Sequence, residues 1–325
     1  MNVLVSGATG YIGRRLIDAL LVSGAAVTAL VRRPEHGLPA GARAIMANVE
    51  DRASLEAAAD GYDRVYHLAA QISFAPDAAA RLTAINAGGA RNVLDACQAW
   101  AAQRVVVASS ACTLGLSRSA EKVLDETCVA DAALQARNPY LASKLAMERV
   151  AFEAASRLHV VITNPTTVYG PGDWSLNSGS LIAQVAKARA LPAPSGGSNV
   201  VDVDDVIQGL IAAGEHGRSG ERYVLGGANL PFAEILDIVR AATGRRPLCI
   251  PLSAWARPLL QVAALVVGKA TDSRFITPQI IGDLFAFKYY SSAKAERELG
   301  WRAQTPFAAT VTRAWEFYRR EGLIA

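Results

Sequence analysis

Three glycines in the segment SGATGYIG, at Gly7, Gly10 and Gly13, constrain this 325-residue chain more than any other feature. They follow the short apolar run Asn2–Ser6 and stand at the head of a helical pattern over Tyr11–Ser23 that stops at Gly24. A strand that passes through such a turn into a helix opens a βαβ unit. One glycine permits the tight turn, another lets the backbone approach a pyrophosphate, and the third allows close helix–strand packing. The anion then rests on free N–H groups at the positive end of the helix dipole. The bland alternative is an ordinary glycine-rich βα turn.

The same rhythm continues. Ala26–Val31 and Arg43–Ala47 predict the second and third strands, with a helix over Arg52–Ala59. Arg64–Leu68 predicts the fourth strand, Ala84–Ala101 a long helix, and Arg104–Ser109 the fifth strand. A helix over Pro139–Arg157 and a sixth strand over His159–Thr163 complete the series. Strands alternating with helices imply an α/β fold, a Rossmann-type doubly wound parallel sheet. Beyond Pro165 the alternation loosens into stretches rich in Gly, Pro and Ser, at Tyr169–Gly179 and Pro192–Gly197. The expected division is a nucleotide-binding domain over 1–165, with 198–215 returning to it through a helix at Asp204–Gly214. Residues 166–197 and 216–325 form a smaller C-terminal substrate lobe. No internal repeat is visible.

Composition narrows the partners. Hydrophobic residues at 51% can bury a sizeable core, which excludes disorder for the bulk of the chain. A net charge of +4 from 33 basic and 29 acidic residues is too weak and dispersed to argue for nucleic acid. Cys97, Cys112, Cys128 and Cys249 lie far apart without a CxxC, so neither a zinc spacing nor a disulfide framework is present. His36, His67, His159 and His216 are likewise scattered, and no metal is expected. The N-terminus lacks the pattern of a signal peptide, and a cytoplasmic protein is expected. The most membrane-like segment, Ala254–Gly268, is interrupted by Arg257, Pro258 and Gln261 and is too short for a span. It fits a helix that covers a core or lines a pocket, with interfacial membrane contact as the lesser alternative.

The second strand ends in Val31-Arg32-Arg33, where an NAD-binding chain normally carries Asp or Glu for the ribose 2′-hydroxyl. A guanidinium suits a 2′-phosphate, so NADP(H) is the expected cofactor. Tyr140 and Lys144, four apart in NPYLASKLAMERV, share one helix face. An ammonium near a phenol favours phenolate and lowers its pKa toward what proton transfer requires. Ser109 and Ser110 stand at the carboxyl end of the fifth strand, where ligands of open α/β sheets bind. A hydroxyl there can polarise a carbonyl, and physics alone does not separate the two serines.

These segments together resemble the extended short-chain dehydrogenase/reductases, also called the NAD-dependent epimerase/dehydratase superfamily, over nearly the whole chain. GATGYIG (7–13) matches the family's phosphate turn and DRVYHLAA (63–70) its fourth-strand cofactor segment. SSAC (109–112), YLASK (140–144) and NPTTVYGPGD (164–173) match its serine, tyrosine–lysine and nicotinamide segments. VDVDDV (201–206) and SSAKAERELGW (291–301) resemble later signatures. The resemblance implies hydride transfer at a carbonyl or carbinol carbon. Tyr140 becomes the acid/base, Lys144 the ribose ligand that depresses it, and Ser110 the group that orients the oxygen. Gly7, Thr9, Gly10, Tyr11, Ile12 and Gly13 would surround the pyrophosphate, with Arg32 toward the 2′-phosphate. Asn48 and Val49 would lie at the adenine, where the family commonly has Asp. Leu68, Ala69 and Ala70 would contact the cofactor from the fourth-strand segment, and Pro165 and Val168 would contact the nicotinamide. The resemblance also implies a homodimer through the 84–101 and 140–157 helices.

Two chemistries divide the family. Nucleotide-sugar epimerases and dehydratases usually carry Arg before the V-x-V-x-D segment, and here SNVVDVDDV has Ser198 at that place. The segment LLQVAALVV with Trp255, Phe275, Phe285, Phe287, Tyr289 and Tyr290 makes the other lobe apolar. This is closer to the dihydroflavonol-reductase and 3β-hydroxysteroid-dehydrogenase-like branch, whose substrates are apolar ketones or aldehydes. The expectation is an NADPH-dependent reductase, with a nucleotide-sugar enzyme as runner-up. The aromatics also fit a plain lobe core. A non-enzymatic sensor or scaffold is disfavoured because Tyr140 and Lys144 are both present.

Overall fold

The structure is a computed structural model that describes residues 1–33, 37–56, 58, 61–271 and 278–324. His36, Phe275 and the end of the helix expected at Arg52–Ala59 lie outside the described residues. Strands β1 (Asn2–Ser6), β2 (Ala26–Val31), β3 (Arg43–Met46), β4 (Arg64–His67), β5 (Arg104–Ala108) and β6 (Val160–Pro165) form the main sheet. Three strands of a second sheet and its neighbour follow: β7 (Thr167–Tyr169), β8 (Ala190–Pro194) and β9 (Gly197–Asp202). The chain then adds β10 (Glu221–Leu225), β11 (Ala228–Pro231), β12 (Leu248–Leu252) and β13 (Phe287–Lys288).

The main sheet has the order β10-β6-β5-β4-β1-β2-β3 and every pairing in it is parallel. Alternate residues of one strand face opposite layers, as the period of two requires. Val3 and Val5 pack with Leu16, Ile17, Val206 and Leu210, whereas Leu4 packs with Leu94, Val107 and Met147. The strand order reverses between β1 and β4, so the crevice at their carboxyl ends is the place for a ligand.

Six strands were expected in this sheet and seven are found. Glu221–Leu225, assigned from sequence to the substrate lobe, adds to β6 as the sheet edge. Its residues Tyr223 and Leu225 are fully buried in the first core layer, which is the physical reason for the addition. The helix Val203–His216 packs on the first helix, β5 and β6. Strand β9 belongs elsewhere, in a four-stranded sheet with β7, β11 and β13. The terminal helix Phe307–Arg320 packs on Phe232–Thr243 through Val311, Trp315, Ile235 and Val239.

The long helix expected at Ala84–Ala101 begins earlier, at Ala79, and contains a widened π-turn over Ala84–Gly88 before Gly89–Ala99. Such turns frequently sit at functional sites. Here the turn carries Asn86 into the interior, where its side chain is fully buried. Among the described residues no helix is long and apolar enough to cross a membrane.

Candidate active site

Gly7 adopts φ +71°, and a Cβ there would sit 2.6 Å from the Ala69 nitrogen. A Cβ on Gly13 would lie 2.2 Å from the Gly7 oxygen, which leaves glycine as the one residue that lets this helix meet β1. Gly10 caps the helix Tyr11–Val22 without any side-chain bond to its first N–H groups. Those N–H groups, at Tyr11, Ile12 and Gly13, have no partner within the helix, and Thr9 lies exposed beside them. The cradle fits a pyrophosphate. Leu68 and Ala69 close its other side, their N–H groups bound to the Ser6 carbonyl at 3.2 Å and hydroxyl at 3.4 Å. Ala70 follows, exposed.

At the adenine end, Arg32 and Arg33 are exposed just beyond β2. The Asn48 carboxamide oxygen accepts from the Glu50 N–H at 3.2 Å, so this side chain closes its own turn. Val49 is buried against Gly89, and its carbonyl accepts from Asn92 at 2.9 Å. Pro165 ends β6, and Val168 lies buried in β7 with the first core layer.

Asn138 makes the position of Tyr140 a local consequence of sequence. Its side chain caps the helix Pro139–Ala154 by accepting from Leu141 N–H at 3.0 Å, and Pro139 occupies the first turn. Tyr140 and Lys144 then rise on one face toward the ends of β5. Ser110 caps the short turn Ala111–Leu114, and its hydroxyl accepts from the Cys112 N–H at 3.3 Å. Ser110 stands beside Tyr140, and its side chain draws the phenol pKa down. Burial outweighs it and, with the Cys112 thiol nearby, holds the phenol above its ordinary value.

Lys144 is 3% exposed and donates to the Ala108 carbonyl at 2.8 Å. Burial pushes its ammonium down to about 8, against the upward pull of Cys112 and Glu148. The net shift of the phenol is thus upward, opposite to the lowering expected from the spacing with Lys144. The ammonium is anchored on β5 instead. His67 is buried and neutral, pushed down to about 3 by burial and then by Lys144, with Nδ1 2.8 Å from the Ser6 hydroxyl.

Sequence reasoning passed over what lies behind these groups. Glu148, one turn beyond Lys144, is 2% exposed. It accepts from Thr113 at 2.8 Å and Asn164 at 2.7 Å, and pairs with Arg222 at 2.9 Å. Ser109 also donates to Glu148, at 2.5 Å, so the two serines separate by role: Ser109 faces inward and Ser110 faces Tyr140. A charged residue at i+4 from Lys144 in an otherwise apolar helix face was the available signal. In the second lobe Phe285, Tyr289 and Tyr290 prove to be buried core, and Trp255 is 80% exposed.

Residues 3–226 match the family model described as NAD dependent epimerase/dehydratase family. The chain belongs to this family. Among its relatives is "Sterol demethylase protein B" of Methylococcus capsulatus, 29% identical and covering all of both chains. Another is "Cinnamoyl-CoA reductase 1" of Oryza sativa subsp. japonica, 32% identical over 75% of this chain and 77% of the relative. The solved structure of "MoeE5 in complex with UDP-glucuronic acid and NAD" superposes with a TM-score of 0.77 at 25% identity, covering 99% of this chain and 100% of that one. An epimerase/dehydratase-family chain with this cradle is an oxidoreductase of NAD(P) chemistry.

Proposed function

We propose that the protein is an NADPH-dependent reductase of apolar ketones or aldehydes. The observation that carries this reading is the buried Lys144 ammonium, held on the Ala108 carbonyl at the carboxyl end of β5 by the helix that carries Tyr140, with Ser110 at the same strand end. A bound nicotinamide dinucleotide supplies the hydride. Gly7, Thr9, Gly10, Tyr11, Ile12 and Gly13 hold its pyrophosphate, and Arg32 receives the 2′-phosphate. Asn48 and Val49 lie toward the adenine, and Leu68, Ala69, Ala70, Pro165 and Val168 toward the nicotinamide.

Hydride addition to a carbonyl develops alkoxide charge on its oxygen. Ser110 donates to that oxygen and Tyr140 delivers the proton. A phenol held above its ordinary pKa stays protonated across neutral pH, the state a general acid needs. Lys144, cationic below about 8, binds the nicotinamide ribose and offsets negative charge left on Tyr140.

Ser198 favours a reductase over the nucleotide-sugar alternative. It is buried in β9 and shares a hydrogen bond with the Thr167 hydroxyl at 2.9 Å, so it offers no cation to a diphosphate. The test is turnover with NADPH and with NADH on a panel of aryl and alkyl ketones and aldehydes, beside UDP- and dTDP-sugars. Ketone-dependent NADPH consumption is expected. Isomerisation or dehydration of a nucleotide sugar without added cofactor overturns the reading.

A further inference from the structure

The loop that follows the cofactor segment, residues 71–75, carries two large apolar side chains into the open. Ile72 is 51% exposed and Phe74 is 48% exposed. Hydrophobic residues scattered singly on a surface need no explanation. These two are not scattered, because Phe74 stands edge-on to the ring of Tyr140, with centroids 5.9 Å apart and planes at 71°.

The loop is held there by a chain of hydrogen bonds. Buried Asn86 accepts from the Gln71 N–H at 2.8 Å and donates to the Gln71 carbonyl at 3.0 Å. The same carboxamide donates to the Ser143 hydroxyl at 2.9 Å, which donates in turn to the Tyr140 carbonyl at 2.7 Å. The π-turn over Ala84–Gly88 is what points Asn86 at both segments. At the loop's other end Ala75 is buried, and its N–H bonds the Ser73 hydroxyl at 3.3 Å. Loop and catalytic helix are thus one assembly, and Phe74 is a fixed neighbour of the proton donor.

The segment QISFAP carries no charge over residues 71–76. A carbonyl oxygen bound at the Tyr140 hydroxyl places its substituents beside the phenol ring, where they meet an apolar, aromatic surface. Filling it removes exposed Phe and Ile area from water, and an aromatic substituent adds ring–ring contact with Phe74.

We propose that Ile72 and Phe74 form the subsite for an aromatic ring attached to the reacting carbonyl carbon, and that Phe74 is the residue that selects it. This rests on the reading of Tyr140 as the proton donor to a carbonyl and names the substrate class at that same site.

The experiment compares acetophenone with cyclohexyl methyl ketone, which share a carbon skeleton and differ in ring flatness and π-character. Both are assayed with NADPH on wild type, Phe74→Ala and Phe74→Tyr, and both are titrated by NMR into the NADP⁺ complex of each variant. Wild type is expected to prefer the aryl ketone in kcat/KM and in binding. Phe74→Ala should reduce that preference about tenfold, the scale of one aromatic contact. Phe74→Tyr should restore it, and NADPH affinity should be equal in all three. An aryl-to-cyclohexyl ratio unchanged in Phe74→Ala overturns the subsite. A wild type that turns over neither ketone overturns the reductase reading instead. The titration still decides the subsite in that event, because aryl binding unaffected by Phe74→Ala, or absent from wild type, refutes it.

Discussion

Arg222 on the edge strand and Glu148 on the Tyr140 helix form an ion pair at 2.9 Å with side chains only 9% and 2% exposed. Arg222 also donates to the carbonyls of Glu126 at 2.8 Å and Cys128 at 2.6 Å, so one guanidinium ties the loop before the helix to the helix itself. Ser109, Thr113 and Asn164 occupy the other carboxylate oxygen. Asn164 further donates to the Ser110 carbonyl at 3.1 Å, which connects the pair to the segment that faces Tyr140.

Breaking this pair from one side leaves a buried charge uncompensated, which costs about 3–5 kcal/mol. Arg222→Met and Glu148→Met are each expected to lower unfolding free energy in urea by that order. The double variant should lose less than the sum, since it strands neither charge. Losses below about 1 kcal/mol, the range of exposed pairs, would show the pair to be ordinary.

The phosphate cradle predicts a graded series of alanine substitutions. Gly13→Ala places a methyl 2.2 Å from the Gly7 oxygen, and Gly7→Ala adds a positive φ to a clash with Ala69. Gly10→Ala meets only the Gly7 oxygen, at 3.2 Å. Dinucleotide affinity measured by calorimetry should fall most for the first two and least for Gly10→Ala. Equal, small losses in all three would mean that the turn does not approach the pyrophosphate.

The NADPH proposal rests on Arg32, which lies exposed at the end of β2 with no acidic residue beside it in sequence until Glu35. Charge-assisted bonds to a phosphate contribute about 1.5–3 kcal/mol. Arg32→Ala should therefore reduce the NADPH-over-NADH preference by about ten- to a hundredfold. Dissociation constants for both cofactors decide it, and equal wild-type affinities would sink the assignment.

The alternation of apolar runs and helical patterns made β1 to β6 readable from the chain, because each depends on neighbours in sequence. The glycine turn and the Asn138-Pro139 cap are local for the same reason. Arg222 and Glu148 are 74 residues apart, and Asn86 and Ser143 are 57 apart, so no window of sequence contains either partnership. The edge strand β10 was hidden similarly, since the chain leaves the sheet after β6 and returns some way later. The direction of the Tyr140 shift needed the fold as well. Spacing announces the lysine, but burial and the Ala108 carbonyl decide what each group feels.

Two buried bases give pH signatures of the same sign in two separate windows. His67 is depressed to about 3, so between that value and its ordinary 6.5 the unfolded chain binds more protons than the folded one. Stability should fall as pH drops through this window, and His67→Gln should flatten that fall. Lys144 is depressed from 10.5 to about 8, so stability gains from this group as pH rises between those values. Its charge is lost over the same rise, and NADPH affinity should weaken above about pH 8. Lys144→Met should remove that alkaline step from a binding–pH profile, and a step that survives the substitution belongs to another group.

Tyr140→Phe removes only the phenol hydroxyl and leaves the ring that packs on Phe74. Folding and NADPH binding should therefore survive, checked by circular dichroism and calorimetry. General acid catalysis is worth about 10²–10⁴ in rate, and kcat on a confirmed ketone should drop by at least the lower figure. Ser110→Ala deletes a donor to the carbonyl oxygen but keeps the acid, so its loss should be smaller. It also removes the side chain that draws the phenol pKa down, so Tyr140 should remain protonated to still higher pH. The pH–rate profile of Ser110→Ala should accordingly show no alkaline limb at lower pH than that of wild type. Wild-type turnover by Tyr140→Phe would mean that another group supplies the proton, and Ser110, the other hydroxyl at the site, would be the first to examine.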